Sequence, residues 1–174
     1  MDATSFFIGL KEKATRDSAV VAVLRRSAAY TPGQYPPAFP YVEPSVGGLS
    51  EWRRSATYLA VSCWALAARR EQGTPLALPR AVHVLQARST NTSKNIEVRF
   101  TTLLDSDSDE LQWRLRHLTS QLASAAIAVD WPELLEDIWR WTREDRRVQT
   151  KWARQFWSPS STESSRGADA QLPA

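Results

Sequence analysis

Basic and aromatic side chains are concentrated in one segment near the end of the chain, Ile138 to Trp157. This segment holds six basic residues against the two acids Glu144 and Asp145, whereas residues 1–137 hold 15 residues of each sign. The basic residues are Arg140, Arg143, Arg146, Arg147, Lys151 and Arg154. Charge this concentrated favours a polyanionic partner such as a nucleic acid more than an even distribution would.

Four of these basic residues follow one another at spacings of four, four and three: Arg143, Arg147, Lys151 and Arg154. If residues 143–157 form one helix, the four share a face that extends over roughly 16 Å, long enough to meet several phosphates. Val148, Trp152 and Phe156 form the neighbouring face, which we expect to pack on the rest of the fold. A solvated amphipathic surface helix without a ligand is the alternative interpretation.

Residue patterns typical of enzymes and metal sites are absent from the sequence. No glycine-rich phosphate loop is present, and His83 and His117 have no Cys or His partner at metal-ligand spacing. The run Asp105–Asp109 begins like a calcium loop, but its sixth and twelfth positions are Glu110 and Arg116. We expect a non-catalytic protein without metal or cofactor, in which these acids favour the start of the following helix.

The single cysteine, Cys63, lies in the apolar run Tyr58–Ala68 and is expected to be a buried core thiol. That run is too short to span a bilayer, and the first residues lack the basic and apolar regions of a signal peptide. We therefore expect a soluble cytoplasmic protein that does not bind membranes.

The eight tryptophans could serve either the core or a partner. Most fall at helical spacing with Leu or Ile, which is typical of core residues. Trp113 and Trp141 lie off the main apolar stripes and are the candidates for a partner surface, where an indole can stack on a nucleic-acid base.

Periodicity and capping signals predict an all-α, compact bundle of about seven to eight helices, and no alternating run is long enough for a convincing strand. The predicted helices are residues 4–29, 51–70 behind the cap Ser50, 80–86, 96–104, a stretch with leucines at 111, 115, 118 and 122, one starting at Asp130, and 143–157. Tyr30–Gly48 holds five prolines and is predicted as an ordered loop.

Two boundaries follow from composition. Residues 1–157 are predicted to form one helical domain, with a possible division into two sub-bundles near residues 90–95. Residues 158–174 are rich in Ser, Pro and Ala and contain no aromatic residue, so a disordered tail is predicted there.

Short motifs in a fixed order carry a family resemblance. They are Val23-Leu24-Arg25-Arg26, Pro37–Pro44, Val98-Arg99-Phe100, Val129-Asp130-Trp131-Pro132, Asp145–Gln149 and Trp152–Phe156. The chain resembles the CasB family, the small subunit of type I-E CRISPR Cascade surveillance complexes, over roughly residues 6–157. It departs from the family at Pro79, His83 and Val84, which leaves Arg80 and Arg88 as weak candidates for contact there.

The resemblance implies an all-helical, non-enzymatic protein that holds the hybrid of guide RNA and target DNA together with the displaced strand. The implied partners are the guide RNA, the target and non-target DNA strands, the backbone and large Cascade subunits, and another copy of the chain itself. The basic positions that it implies are Arg25, Arg26, Arg99, Arg116, Arg146 and Arg147.

An adaptor that binds only proteins, through Trp113 or Trp141, is the alternative function. A helix-turn-helix regulator is disfavoured, because no short Gly-containing turn joins two short helices with a polar recognition face.

Overall fold

The computed structural model describes residues 1–89 and 92–158, which form nine α-helices and one pair of parallel strands. The helices are α1 (Ala3–Arg16), α2 (Ala19–Arg26), α3 (Phe39–Val46), α4 (Glu51–Ala67), α5 (Leu78–Arg88), α6 (Ser93–Leu104), α7 (Ser108–Ser124), α8 (Trp131–Trp139) and α9 (Arg147–Trp157). The strands are β1 (Gln72–Leu76) and β2 (Ile127–Val129). The predicted all-α class is confirmed, and the predicted tail from residue 159 onward lies outside the described residues.

The helix predicted over residues 4–29 is divided at Asp17. The backbone of Asp17 is extended, with φ −136° and ψ 108°, and its carboxylate accepts a hydrogen bond from the Ala19 N–H at 2.8 Å. Local bonding of this kind is the reason that Asp competes with helix continuation and favours the start of a new helix.

The loop predicted over Tyr30–Gly48 contains the helix α3, so that prediction was wrong in part. Pro40 lies in the first turn, where a missing N–H breaks no bond, and only Pro44 lies further inside the helix. Val42 and Val46 are fully buried, and this burial offsets the cost of Pro44. Tyr35, Phe39 and Tyr41 of the same segment pack against the core.

The predicted caps Ser50 and Asp130 are confirmed. Asp130 accepts from the Glu133 N–H at 3.0 Å. Asp107, which was predicted only as a charge that favours the following helix, accepts from the Glu110 N–H at 2.8 Å and caps α7. Ser50 caps α4 in the same way. Each such cap contributes about 1 kcal/mol to helix stability.

The parallel strand pair was missed because its residues carry no strand pattern. β1 includes Gly73 and Pro75 and is almost wholly exposed, and β2 has only three residues. Glu71, just before β1, accepts hydrogen bonds from the Val129 N–H at 3.1 Å and from the Trp131 indole at 2.9 Å. Burial raises the pKa of Glu71, and these hydrogen bonds oppose that rise without cancelling it.

Helix α4 forms the centre of the bundle and packs against α2, α7 and α8. Eleven of its 17 residues are buried. Cys63 is fully buried among them, as predicted, and burial raises the pKa of its thiol to about 11. No helix in the described residues combines the length and the apolar character that crossing a membrane would require.

The helix predicted over residues 143–157 begins only at Arg147. Helix α8 ends at Trp139, and the intervening residues form turns that end at Arg146, whose backbone is left-handed with φ 46° and ψ 32°. Arg143 therefore lies outside α9. The predicted packing face of this helix is confirmed, because Val148, Trp152 and Phe156 are all buried.

Candidate nucleic-acid interface

The turn between α8 and α9 brings three predicted arginines around two acids. Asp145 Oδ2 lies 3.3 Å from Arg143 Nη2 and 3.1 Å from Arg147 Nε. Slight desolvation would raise the pKa of Asp145, but the backbone N–H of Arg147 and the two guanidinium groups lower it overall. Arg146 Nη2 donates to the Leu104 carbonyl at 2.7 Å and lies 3.7 Å from Asp105.

Lys151 is held by two acids of α8. Its Nζ donates to Glu133 at 2.8 Å and to Asp137 at 2.9 Å, and Asp137 also accepts from the Trp152 indole at 2.7 Å. Partial burial alone would lower the pKa of Lys151, but these hydrogen bonds raise it above its ordinary value. Because Asp137 is only 5% exposed, this network fixes α9 on α8.

The predicted stripe of four cations on one helical face is therefore wrong. Arg143 lies off the helix, and Lys151 faces the acids of α8. Arg140 is also paired, with Glu136 at 3.3 Å. Within residues 1–89 and 92–158, Arg154 is the one cation of the segment without an acidic partner. Contact of these side chains with phosphate stays a prediction.

A second basic surface lies in a groove of about 390 Å³ between α6 and α7. Its lining residues are Arg99, Thr102, Glu110, Trp113, Arg114 and His117. Arg114 pairs with Glu110 at 3.0 Å, whereas Arg99 is exposed and has no ion pair with any residue that the structure describes. Trp113 is 58% exposed, and its predicted role in a partner surface stays a prediction.

Arg116 lies against the Trp113 ring and is only 7% exposed. Its Nη2 donates to the Tyr30 carbonyl at 2.9 Å, and its guanidinium carbon lies 5.5 Å from the centre of the Trp113 ring. Its Nε and Nη1 have no partner among the described residues. Burial lowers the pKa of Arg116. The fold uses Arg116 as an internal support of Trp113, and its predicted contact with phosphate stays a prediction.

The remaining predicted cations lie on other elements. Arg25 and Arg26 end α2, where Arg25 Nε donates to the Ala65 carbonyl at 3.0 Å and Arg26 is exposed. Arg80 and Arg88 lie on α5, where Arg88 Nη1 contacts the Ala125 carbonyl at 3.5 Å. The family-implied arginines thus lie on several elements of the fold.

Trp141 does not form a partner surface in this fold. It is 3% exposed, its indole donates to the Ser106 carbonyl at 3.1 Å, and its ring packs edge-on against Trp152 at 5.1 Å. Trp141 lies in a turn, where helical spacing does not apply, so its position off the apolar stripes does not indicate exposure.

Arg114 and the groove position of His117 were missed by sequence reasoning. The signal was available, since Glu110, Trp113, Arg114 and His117 follow the i, i+3, i+4, i+7 spacing of one helical face. Among the residues that the structure describes, no group of three or more His, Cys, Asp or Glu side chains is placed to hold a metal ion.

Comparison with known proteins gives this geometry its family context. Residues 20–157 match the profile of the family described as CRISPR-associated protein Cse2. The chain belongs to the CRISPR-associated Cse2 family. A CRISPR-associated protein Cse2 from Thermus thermophilus is 36% identical over 150 residues, which cover 84% of this chain and 83% of the relative.

Solved structures of Cse2-like proteins share the fold. The crystal structure of CasB from Thermus thermophilus is 32% identical, with a TM-score of 0.77 over 90% of this chain and 98% of that one. A chain of a CRISPR RNA-guided surveillance complex is similar in fold, with a TM-score of 0.77, 19% identity, and coverage of 90% of this chain and 91% of that one. The resemblance to the CasB family is confirmed.

Proposed function

We propose that this Cse2-family chain is a non-catalytic subunit of a type I-E CRISPR RNA-guided Cascade complex, in which it holds nucleic-acid strands through their phosphates. Its contribution is to stabilise the opened duplex, in which a guide RNA–target DNA hybrid and a displaced strand replace the DNA duplex. That exchange is nearly balanced in energy, so a few phosphate contacts per subunit suffice to shift it. Guide RNA pairing supplies the sequence specificity, and this chain reads no bases by hydrogen bonding.

The observation that carries this proposal is the unpaired charge of Arg99 in an open groove beside Trp113. An exposed guanidinium without an acidic partner is available to a phosphate at no cost in broken ion pairs. Arg114 and His117 lie in the same groove and add donors for the same strand. Arg154 is the corresponding exposed cation on α9.

The arginines of the α8–α9 turn are a second, weaker set. Arg143 and Arg147 share Asp145, and the side chain of Arg147 is 82% exposed. Exposed ion pairs contribute only about 0–1 kcal/mol, so a phosphate can displace Asp145 from either arginine. Such an exchange contributes less binding free energy than a contact with the unpaired Arg99.

Fluorescence anisotropy of a labelled single-stranded DNA, titrated with the full chain at about 50 and 200 mM salt, tests the proposal. Binding is expected to fall with salt, with a log–log slope of about −0.7 for each phosphate engaged. Arg99→Glu is expected to weaken binding and flatten the slope more than the double substitution Arg146→Glu and Arg147→Glu.

Arg16→Glu makes the same charge change as Arg99→Glu on an exposed residue of α1 that is not among the predicted contacts. This control variant should lower affinity only slightly. Equal losses of affinity for Arg16→Glu and Arg99→Glu would mean that the effect comes from net charge alone and that Arg99 is not part of the interface.

A protein adaptor is the second candidate, and the exposure of Trp113 favours it. Exposed tryptophans are enriched at protein interfaces. Binding of this kind would respond to Trp113→Ala and would change little between the two salt concentrations.

A further inference from the structure

Trp113 is the most exposed tryptophan among the described residues, at 58%, and it lies in a groove that is otherwise lined by polar and charged side chains. The Trp113 indole lacks the burial that Trp131, Trp141 and Trp152 gain from folding. The ring is therefore available to stack on a ligand that has a flat apolar face and carries a charge close to that face.

The indole is held in place before any ligand binds. The Arg116 guanidinium, 7% exposed, lies 5.5 Å from the ring centre and is itself fixed by its bond to the Tyr30 carbonyl. A cation over the ring restricts its rotation, so that little side-chain entropy is lost when a second flat group stacks on the exposed part.

The groove places an unpaired positive charge next to this ring. Arg99 comes from α6 and Trp113 from α7, and both line the same volume of about 390 Å³, which lies within the range of about 300–1,000 Å³ typical of small-ligand pockets. The groove thus offers one aromatic platform and one free guanidinium, the two components with which proteins hold single strands.

We infer that this groove is a subsite for one unpaired nucleotide, in which the base stacks on Trp113 and an adjoining phosphate contacts Arg99. The inference rests on the proposed function and adds to it a contact with a base face. Every base has such a face, so the subsite is indifferent to sequence. It excludes a paired nucleotide, because both faces of a base inside a duplex are covered by its neighbours.

Binding of an abasic strand distinguishes the contact of a base with Trp113 from the contact of a phosphate with Arg99. The full chain is titrated at low salt with labelled single strands of equal length: thymidine DNA, uridine RNA, and an abasic DNA that keeps the phosphates but lacks bases. The parallel DNA and RNA titrations identify the preferred strand. For that strand, Trp113→Leu is expected to weaken binding about fivefold or more, in line with the value of a stacked base, and to leave abasic binding unchanged.

Trp113→Phe and Val98→Ala are the matched controls. Phe keeps an aromatic face and should retain most of the affinity, whereas Leu keeps only the apolar bulk. Val98 is 63% exposed on α6 beside Arg99, and its truncation should have no effect. Arg99→Glu should weaken the binding of thymidine and abasic DNA alike.

Equal behaviour of Trp113→Leu and wild type on all strands, or an equal loss on thymidine and abasic DNA, would overturn the stacking subsite. In either case a loss on Arg99→Glu would leave the proposed function standing. A wild-type chain that binds none of the strands at low salt would contradict the proposed function and the subsite together.

Discussion

The α8–α9 turn and the α6–α7 groove differ in what neutralises their charge. In the turn and the first part of α9, the cations Arg143, Arg146, Arg147 and Lys151 meet the acids Asp105, Glu133, Asp137 and Asp145. In the groove only Arg114 is paired, and Arg99 remains free of any ion pair with the described residues. Most of the positive charge near the end of the chain is thus paired, and Arg154 is the one cation there without an acidic partner among the described residues.

The physical reason is that most of the neutralising acids come from outside the basic segment. Asp105 ends α6, and Glu133 and Asp137 belong to α8, so a count of charges along residues 138–157 misses part of the balance. In the turn, charge mainly fixes one element on another. In the groove, charge and an exposed ring remain for a partner.

The largest expected contrast lies between one tryptophan of each region. Trp141→Ala should destabilise the fold by about 3–5 kcal/mol, since it empties a buried site and removes the bond to the Ser106 carbonyl. Trp113→Ala should change stability by less than about 1 kcal/mol, because its ring is mostly exposed. Urea unfolding of both variants measures the two losses of stability. Similar losses would contradict the proposed difference between the buried Trp141 and the exposed Trp113.

The buried acid of the α8–α9 network should have the next largest effect. Asp137→Ala leaves the Lys151 ammonium and the Trp152 indole without their common acceptor and should cost about 2 kcal/mol. That estimate is below the value for a fully buried pair, because Lys151 is partly solvated. Glu133→Gln, at the more exposed end of the network, should cost less than about 1 kcal/mol. Thermal unfolding of the two variants measures both losses of stability. Equal losses would mean that Asp137 stabilises the fold no more than an exposed acid does.

Arg116 is buried, but its replacement by an apolar residue is expected to cost little stability. Arg116→Met keeps an unbranched chain in the same space and removes two buried donors that have no partner among the described residues, at the loss of one hydrogen bond to the Tyr30 carbonyl. Its effect on stability should therefore stay within about 1 kcal/mol. A loss of several kcal/mol in the free energy of unfolding, measured in urea, would show that water or an anion accepts hydrogen bonds from the guanidinium in solution.

The smallest effect should come from the acid shared by Arg143 and Arg147. The folded pKa of Asp145 lies below the ordinary value of an aspartate, so its stabilising contribution is present above that ordinary value and is lost as the pH falls through the folded pKa. The melting temperatures of wild type and Asp145→Asn should therefore differ slightly near neutral pH and converge in acid. A difference that persists in acid would come from the backbone at this turn and would not be electrostatic.

Local signals in the sequence predicted much of the helical framework. Ser50, Asp107 and Asp130 cap helices because their oxygens bond to N–H groups two or three residues away, an interaction set almost entirely by the local sequence. The ordered set of short motifs, from Val23-Leu24-Arg25-Arg26 to Trp152–Phe156, carried the family resemblance as well. Where local signals conflicted, as with Pro44 in α3, burial against the rest of the fold decided the outcome.

The candidate site was predicted only in its parts. Arg99 came from the resemblance and Trp113 from its position off the apolar stripes, but nothing in the sequence places them in one groove. They belong to different helices, α6 and α7, and only the packing of those helices brings them together.

By itself, the sequence determined the helical class, the starts of α4 and α8, the family, and the surplus of positive charge near the end of the chain. Only the tertiary structure decided which of those charges are free and which tryptophans are exposed. Ion pairing and burial depend on contacts between distant residues: Arg146 bonds to a carbonyl 42 positions away, and Trp141 to one 35 positions away. Such contacts arise from how helices pack, which no local pattern of residue types specifies.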